Sequence, residues 1–482
     1  MIRAEWTKFR TVRGWVVGMV LAAVVVMMFG LFPGVQGNCG RHGTGSECVL
    51  PVGPEGGEVS DSFMFAHQPL TGDGTLTVRV ADLTGVLLGD PDRAGLAPWT
   101  KAGLIVKDGT KPGSAYAAVM VTGGHGVRMQ HNFAHDRAGR AGSWLRLTRA
   151  GQTVTGASSA DGVTWTTVDS VRMTLPATVE LGMFVASPQY AEVMASSLGS
   201  VGASGGPSRA TALFDHVSRD GTWTGTPVGG PGNAEPGQRG GLLPTGDGFT
   251  VTGTGDIAPA VAGAAGIGTT VTQTLIGTFA GLILVVVVAT MSVTAEYRRG
   301  LIRTTVTASP RRGRVLAAKA LVLGAVTFVV GLVAAAVVVL GGQQLLRNAG
   351  TYLHPASTAT ELRLIVGTAT LLAVSAVLGL ALGVLLRRGT TAVTAAIVTI
   401  VLPYLLAMTV LPTEAARWLL RVTPAAAFAV QQSATEYAQV DNLYTPIEGY
   451  FPLAPWAGLA VLTGWTALAL ALAAHRLRRR DA

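Results

Sequence analysis

The sequence predicts two structural classes in one chain: a six-helix α-helical transmembrane domain, and an all-β sandwich inserted between its first and second spans. Three observations predict this. Six apolar runs of about 19 to 26 residues are each long enough to cross a bilayer. A polar region of about 230 residues separates the first run from the second. Within that region, short β-rich runs are divided by turn residues roughly every ten positions.

The N-terminal 33 residues predict a surface helix and then a first span. Residues 1–13 combine basic and aromatic side chains, which is typical of a helix lying at a membrane interface. Its basic residues are Arg3, Lys8, Arg10 and Arg13. Residues 14–33 form the predicted first transmembrane helix. A cleaved signal peptide is the alternative, although this apolar run is longer than the usual signal core.

The region from residue 269 to 482 contains the other five predicted spans. They are residues 271–293, 315–340, 362–386, 391–411 and 454–474. Alternating sides from a cytoplasmic N-terminus places 17 of the 21 Lys and Arg residues outside the β region on the cytoplasmic side. We therefore predict that both termini are cytoplasmic and that residues 34–268 are extracellular.

The distribution of charge argues against a nucleic-acid partner. The chain of 482 residues has a net charge of +9, but residues 34–264 hold 15 Lys and Arg against 19 Asp and Glu. The remaining residues hold 21 Lys and Arg against 8 Asp and Glu. The basic residues thus lie beside the membrane spans, where the positive-inside rule explains them.

The polar region divides into a sandwich and a linker. Residues 34–226 show the alternation and the Thr and Val enrichment of an antiparallel sandwich. Residues 227–268 are rich in Gly and Pro and predict a linker with one short strand at 249–252. Cys39 and Cys48 are the two cysteines of the chain and are predicted to form a disulfide, free thiols being the alternative.

A basic loop between the second and third spans carries a family resemblance. It contains Glu296, Tyr297, Arg298, Arg299 and Gly300, then Arg303, and then Pro310, Arg311 and Arg312. This order resembles the corresponding loop of actinobacterial ABC transporter permeases of the type-2 exporter class. The resemblance covers about residues 1–33 and 268–482. It implies that the loop docks on a separate ATPase subunit and that the N-terminal segment is an interfacial elbow helix.

The long insertion departs from that family's usual pattern and has a resemblance of its own. The carrying stretches are WTKAGL at 99–104, GSAYA at 113–117, WLRL at 144–147, SADG at 159–162 with Trp165, and FDHV at 214–217. They resemble concanavalin-A-like (laminin-G-like) jelly-roll domains of secreted glycan-active proteins. Trp99, Tyr116, Trp144 and Trp165 are therefore candidates for stacking on sugar rings, with the sandwich core as the alternative location.

The motifs of common catalytic and metal sites are missing or incomplete, so we predict no catalytic residue, metal or cofactor. The sequence has no GxxxxGK[ST] phosphate loop, so ATP hydrolysis belongs to another subunit. The spacing of His125, His131 and His135 falls on strand and loop, where it does not converge on a metal. Asp90 and Asp92 fit solvated loop positions better than a calcium site.

These patterns predict the membrane-spanning permease subunit of an ATP-binding-cassette exporter. Its predicted partners are a cassette ATPase subunit, a second permease chain in a homodimer or heterodimer, membrane lipid, and a glycan or substrate bound by the extracellular domain. The alternative is a membrane-anchored glycan-binding or envelope-sensing protein without transport activity. An ectoenzyme ranks last, because no pair of carboxylates for glycoside hydrolysis stands out.

Overall fold

The structure is a computed structural model, and it confirms the predicted combination of a six-helix domain with an inserted β domain. It describes residues 1–31, 49–89, 92–195, 201–229, 240–246, 248–263, 266–300 and 312–479. Within these ranges, six helices are long and apolar enough to cross a membrane. The predicted disulfide between Cys39 and Cys48 lies outside the described residues.

Eight helices are numbered here in chain order. They are α1 Ile2–Thr11, α2 Arg13–Leu31, α3 Gly277–Arg298, α4 Arg312–Asn348, α5 Thr358–Leu386, α6 Gly389–Thr409, α7 Thr413–Val422 and α8 Pro455–Arg479. Helix α6 contains a π-helical turn at Ile397–Val401. Short 3₁₀ helices occur at Val271–Leu275, Pro424–Gln431 and Pro446–Glu448.

Helix α4 is longer than its predicted span. At 37 residues it measures about 55 Å, well beyond a hydrocarbon core of about 30 Å. Gln343, Gln344 and Arg347 lie in its final turns and end the apolar run, although the helix continues through them. The Gln343 amide donates to Glu361 Oε1 of α5 at 2.9 Å, which supplies a polar partner for this projecting end.

The β domain contains nineteen described strands, numbered in chain order. They are β1 Val59–Asp61, β2 Phe63–Thr71, β3 Gly74–Leu87, β4 Arg93–Ala94, β5 Lys101–Lys107, β6 Tyr116–Thr122, β7 Val127–His131, β8 His135–Ala138, β9 Trp144–Ala150, β10 Thr153–Ser159, β11 Thr166–Arg172, β12 Thr178–Ala186, β13 Tyr190–Ala195, β14 Val201–Gly206, β15 Ser208–Asp215, β16 Thr224–Val228, β17 Gly241–Thr245, β18 Gly248–Gly253 and β19 Ile257–Pro259.

Two antiparallel sheets pack face to face. One has the strand order β16-β2-β12-β5-β6-β7-β8, and the other has the order β11-β10-β9-β3-β15-β18-β17 with β4 paired to β3. Alternation along β15 directs Ala210, Ala212 and Phe214 into the shared core while the intervening residues face outward. The hydrophobic core therefore lies between the sheets, as in other sandwiches.

The chain enters and leaves the β domain at one place. Strand β1 pairs antiparallel with β19, and Val59 lies opposite Pro259. Residues of both strands cover the outer face of the first sheet in a second apolar cluster with Phe65, Ile105 and Phe184. Because that face is covered, β5 is buried along its whole length instead of alternating.

The predicted linker differs from the structure. Residues 227–268 include β17 and β18, which extend the second sheet beyond β15, and β19, which pairs with β1. The Gly and Pro content suggested a flexible tether, but Phe249 and Val251 pack into or against the sandwich core. Hydrophobic burial of these few side chains outweighs the weak strand propensity around them.

A buried ion pair ties β1 to β5. Lys107 Nζ lies 2.7 Å from Asp61 Oδ2, and both side chains have no exposed surface. Burial raises the pKa of the Asp61 carboxyl and lowers that of the Lys107 ammonium, while each charge favours ionisation of the other. The Gly113 amide also donates to Asp61 Oδ2 at 2.7 Å. Each charge therefore depends on its partner to remain ionised inside the domain.

Removing one member of this pair should destabilise the β domain strongly. We expect Lys107→Met to cost about 3 to 5 kcal/mol, because Asp61 is left buried without a counter-charge. Joint replacement by Asp61→Leu and Lys107→Met should restore most of that loss. Thermal unfolding of the purified full-length chain measures both, with exposed Lys111→Met as the control. A melting temperature unchanged by Lys107→Met would contradict this account.

Candidate functional site

The segment Glu296 to Gly300 ends α3 and exposes two arginines. The Arg299 amide donates to Ala295 O at 3.1 Å, and the Gly300 amide donates to Tyr297 O at 3.2 Å. Gly300 has a φ of +69°, the left-handed conformation that commonly terminates helices and that glycine adopts without a steric penalty. Arg298, Arg299 and Gly300 are all exposed. The helix end thus presents two guanidinium groups to the surroundings.

Four charged side chains join the base of this loop to the N-terminal helix. Lys319 Nζ of α4 lies 2.7 Å from Glu296 Oε1 of α3 and 2.8 Å from Glu5 Oε2 of α1. Lys8 Nζ lies 3.2 Å from Glu5 and 3.8 Å from Glu296. We call Glu5, Lys8, Glu296 and Lys319 the basal cluster. It connects three helices that the sequence separates by up to 314 positions.

The basal cluster is mostly shielded from solvent. The side chains of Glu5, Glu296 and Lys319 are 9%, 14% and 13% exposed, whereas that of Lys8 is 44% exposed. Burial alone would raise the pKa of the Glu5 carboxyl, but Lys319 and Lys8 outweigh it, and the pKa lies below its usual range. A lowered carboxyl pKa contributes stability at neutral pH that is lost as pH falls through the folded-state pKa.

Other helix ends meet beside the basal cluster. The Arg387 guanidinium lies 5.4 Å from the centre of the Tyr297 ring, in cation–π geometry, at the end of α5. Arg476 Nη1 of α8 donates to Leu385 O of α5 at 3.1 Å. Helices α1, α3, α4, α5 and α8 therefore contribute to one end of the bundle, which we call the basic end.

The structure describes part of the predicted loop. Glu296, Tyr297, Arg298, Arg299 and Gly300 occupy the positions given above, and Arg312 begins α4. Arg303, Pro310 and Arg311 lie outside the described residues. No contact of Arg312 is described.

Sequence reasoning missed the roles of Glu5 and Lys319, although both left a signal. Lys319 is the single charged residue in the apolar run 315–340, and Glu5 is the single acid among the first 31 residues. A charge at the end of a membrane helix requires a partner, so these two isolated charges could have been paired by their signs.

The opposite end of the bundle holds the β domain. Glu58 accepts hydrogen bonds from the Tyr352 hydroxyl and from His354 Nδ1, the latter at 3.2 Å. His354 Nε2 donates to Ile267 O at 2.8 Å, so both bonds of the ring form when the imidazole is protonated. Burial, followed by the Glu58 carboxylate, raises the pKa of Tyr352. These contacts fix the α4–α5 connection to the domain's entry segment.

The α7–α8 region makes a second attachment. Gln439 Nε2 donates to Ala134 O at 3.0 Å, next to Asn132 and Phe133, which have φ values of +47° and +69°. Asn442 Nδ2 donates to Ala262 O at 2.8 Å, and the Tyr450 hydroxyl donates to the same oxygen at 3.1 Å. The β domain is therefore attached to two separate connections of the helical domain.

A small aromatic cavity lies in the helical domain near this end. It encloses about 310 Å³. Phe279 of α3, Tyr404 of α6 and Phe428 of the Pro424–Gln431 helix line it, and the Tyr404 and Phe428 rings stack at 4.2 Å. Thr272 donates to Gln431 O at 2.6 Å and supplies its polar wall.

Two of the four predicted stacking aromatics are core residues. Trp99 and Tyr116 are 3% and 1% exposed, so neither offers a ring face to a ligand. Trp99 instead stacks on His125 at 4.1 Å, and Tyr116 packs edge-on against Phe133. Their alternative location in the core is therefore the observed one.

The other two predicted aromatics are half-buried and already have partners. Trp144 lies against His216 at a centroid distance of 5.0 Å. The guanidinium of Arg146 sits 3.8 Å over the Trp165 ring, and Trp165 Nε1 donates to Gly162 O at 3.2 Å. Stacking of Trp144 or Trp165 on sugar remains a prediction.

Among the described residues, no group of three or more His, Cys, Asp or Glu side chains is arranged to hold a metal ion. His131 and His135 stack in parallel at 4.3 Å, and His135 Nε2 lies 2.7 Å from Glu55. His125 contacts Trp99 elsewhere in the sheet. The three histidines thus take part in ring stacking within the sandwich.

Comparisons with known proteins identify a family for most of the chain. A family model described as ABC-2 family transporter protein matches residues 127–482. A search of curated proteins gives no significant match.

Two solved structures match parts of the chain at low similarity. A functionally unknown protein from Saccharomyces cerevisiae has 17% identity and a TM-score of 0.17, covering 33% of this chain and 72% of its own. SCP-B, a member of the Eqolisin family of peptidases, has 12% identity and a TM-score of 0.22, covering 40% and 98%. Scores this low carry no argument about fold or function.

Neutralising Lys319 should release α1 from the bundle. Lys319→Met leaves Glu5 and Glu296 facing each other, at a cost on the order of 3 kcal/mol. Amide hydrogen exchange of residues 2–11 should then accelerate by about a hundredfold, since 1.4 kcal/mol corresponds to a factor of ten.

Lys8→Met is the matched control for this experiment. Lys8 is largely exposed, and exposed pairs contribute about 0 to 1 kcal/mol, so its removal should change exchange by less than tenfold. Lys319→Arg should preserve protection. Equal effects of Lys8→Met and Lys319→Met would show that the basal cluster does not hold α1.

Proposed function

The chain belongs to the ABC-2 family of transporter proteins as a multi-pass membrane component, and we propose that it is the permease of an exporter driven by a separate ATPase. ATPase subunits dock on the loop that follows Gly300 and supply the energy for transport. The transported molecule crosses the cytoplasmic membrane through a path that two permease chains form together. The chain itself catalyses no reaction in this proposal.

The single observation that carries this proposal is the construction of the basic end. Arg298 and Arg299 project from a helix end that Gly300 terminates, and the basal cluster braces that end against α1 and α4. A docking loop must transmit a push without collapsing, and a base held by three helices meets that requirement. Positive-inside topology accounts for the charge of the loop but does not require the bracing.

Exposure of two spans supports a second permease chain. In α2 and α6 only 22% of the apolar window is buried within the described residues, against 61% in α5. Their outward faces carry large apolar side chains, among them Val17 and Val398. Lipid covers such faces in part, and a second copy or a similar chain covers the remainder in this proposal.

The β domain lies at the end of the bundle opposite the basic end, which supports an extracellular location under the predicted topology. There it meets the transported molecule or a surface glycan outside the membrane. Its two attachments, through Glu58 and through Gln439, hold it directly above the helical domain.

Reversing the charge of the loop should abolish ATPase docking. We expect Arg298→Glu with Arg299→Glu to remove the cassette ATPase from a tagged chain purified in mild detergent, because both guanidinium groups are exposed at the docking end. The control is Arg417→Glu with Arg421→Glu, on α7 away from the basic end. Wild-type chain that brings down no ATPase in several detergents would overturn the proposal.

Cysteine labelling tests the sidedness of the two ends. In a chain with Cys39→Ser and Cys48→Ser, an added cysteine at Val163, which is 80% exposed, should react with a membrane-impermeant maleimide on intact cells. A cysteine at Arg299 should react only after permeabilisation, because the positive-inside rule places it in the cytoplasm. Labelling of the Arg299 position on intact cells would exclude docking of a cytoplasmic ATPase there.

A further inference from the structure

A groove opens where the two sheets of the β domain end side by side. Strand β16 is the edge of the first sheet and β17 is the edge of the second. The groove between them has about 780 Å³ of space, within the range of small-molecule sites. Its walls and floor comprise Met64, Gly221, Trp223, Gly225, Leu242, Pro244 and Phe249.

The walls of this groove present aromatic faces without charge. Trp223 and Phe249 are half-buried, with ring centroids 5.7 Å apart and planes tilted by 58°. Leu242 and Pro244 continue the apolar wall on β17. None of the described residues that line the groove is charged, so an ionic ligand would find no counter-charge there. The lining suits a neutral ligand with an apolar face.

A buried amide behind the groove needs a hydrogen-bond acceptor. Gln68 is 8% exposed, and its Nε2 atom has no hydrogen-bond partner among the described residues. Gln68 Oε1 lies 2.8 Å from the position that a Cβ of Gly221 would take. Gly221 lines the groove with a φ of +127° and carries no side chain, so nothing of its own covers the amide. A buried donor without an acceptor costs about 1 to 3 kcal/mol, which a ligand oxygen would recover.

From this arrangement we infer that the groove binds a neutral sugar ring. The C–H face of the ring stacks on Trp223, and a hydroxyl oxygen accepts a hydrogen bond from Gln68 Nε2. An acyl chain would fill the apolar walls but leave the amide unpaired. The inference deepens the proposed capture role of the β domain and rests on it. It moves the sugar site away from the tryptophans that the sequence suggested.

Saturation-transfer NMR on the full-length chain in nanodiscs tests the site directly. The probes are neutral hexasaccharides of glucose, mannose and N-acetylglucosamine, with dodecanoate as the acyl-chain probe. At least one hexasaccharide should bind, and Trp223→Ala should weaken that binding by about tenfold or more. Trp223→Phe should retain part of it. Gln68→Leu should weaken it by about tenfold, the effect of losing one hydrogen bond.

Trp144→Ala is the matched control, because it removes a half-buried tryptophan outside the groove. It should leave binding within about twofold. Melting temperatures establish that each variant is folded. Three outcomes would overturn the inference: no hexasaccharide binds, dodecanoate alone binds, or Trp144→Ala weakens binding while Trp223→Ala does not. The double Arg298→Glu, Arg299→Glu variant should bind sugar normally, so a failure of ATPase docking can be told apart from a failure of this site.

Discussion

The basic end of the bundle depends on the neutralisation of one ammonium group. Lys319 lies within a helix that is otherwise apolar for more than 20 residues, and an unpaired charge in such surroundings is costly. Glu296 and Glu5 approach it from two other helices at hydrogen-bond distance. The electrostatic requirement of a single side chain thereby fixes the angle at which α3 enters the loop and the position of α1 beside it.

The β domain obeys a different constraint, which is topological. A domain inserted between two membrane helices must return the chain close to where it left, and the pairing of β1 with β19 accomplishes this. The same two strands cover the outer face of the first sheet, so closing the insertion and burying apolar surface are one event. The Asp61–Lys107 pair then lies beneath that cover, where water cannot reach it.

Periodicity and run length predicted the classes of structure well because they report local physics. Six apolar runs became six helices, and alternation became an antiparallel sandwich. Predictions that depended on tertiary packing were weaker. Trp99 and Tyr116 could not be told from surface aromatics by sequence, because their burial depends on distant residues such as His125 and Phe133. Strands β17 and β18 were hidden by composition, since their stability comes from pairing with β15.

The two ends of the bundle are mechanically related by the helices that run between them. Helix α3 follows the Val271–Leu275 turn, beside the Thr269–Leu353 bridge, and ends at the basal cluster. Helix α4 carries Lys319 near its start and ends just before Tyr352, which bonds to Glu58 of the β domain. These helices of 22 and 37 residues are about 33 and 55 Å long. A displacement of the loop must therefore either bend α3 and α4 or move the attachments of the β domain with them. Because helices bend sharply only at identifiable defects such as proline or a π-bulge, and neither interrupts the described part of α3 or α4, rigid movement of both ends is the less costly response.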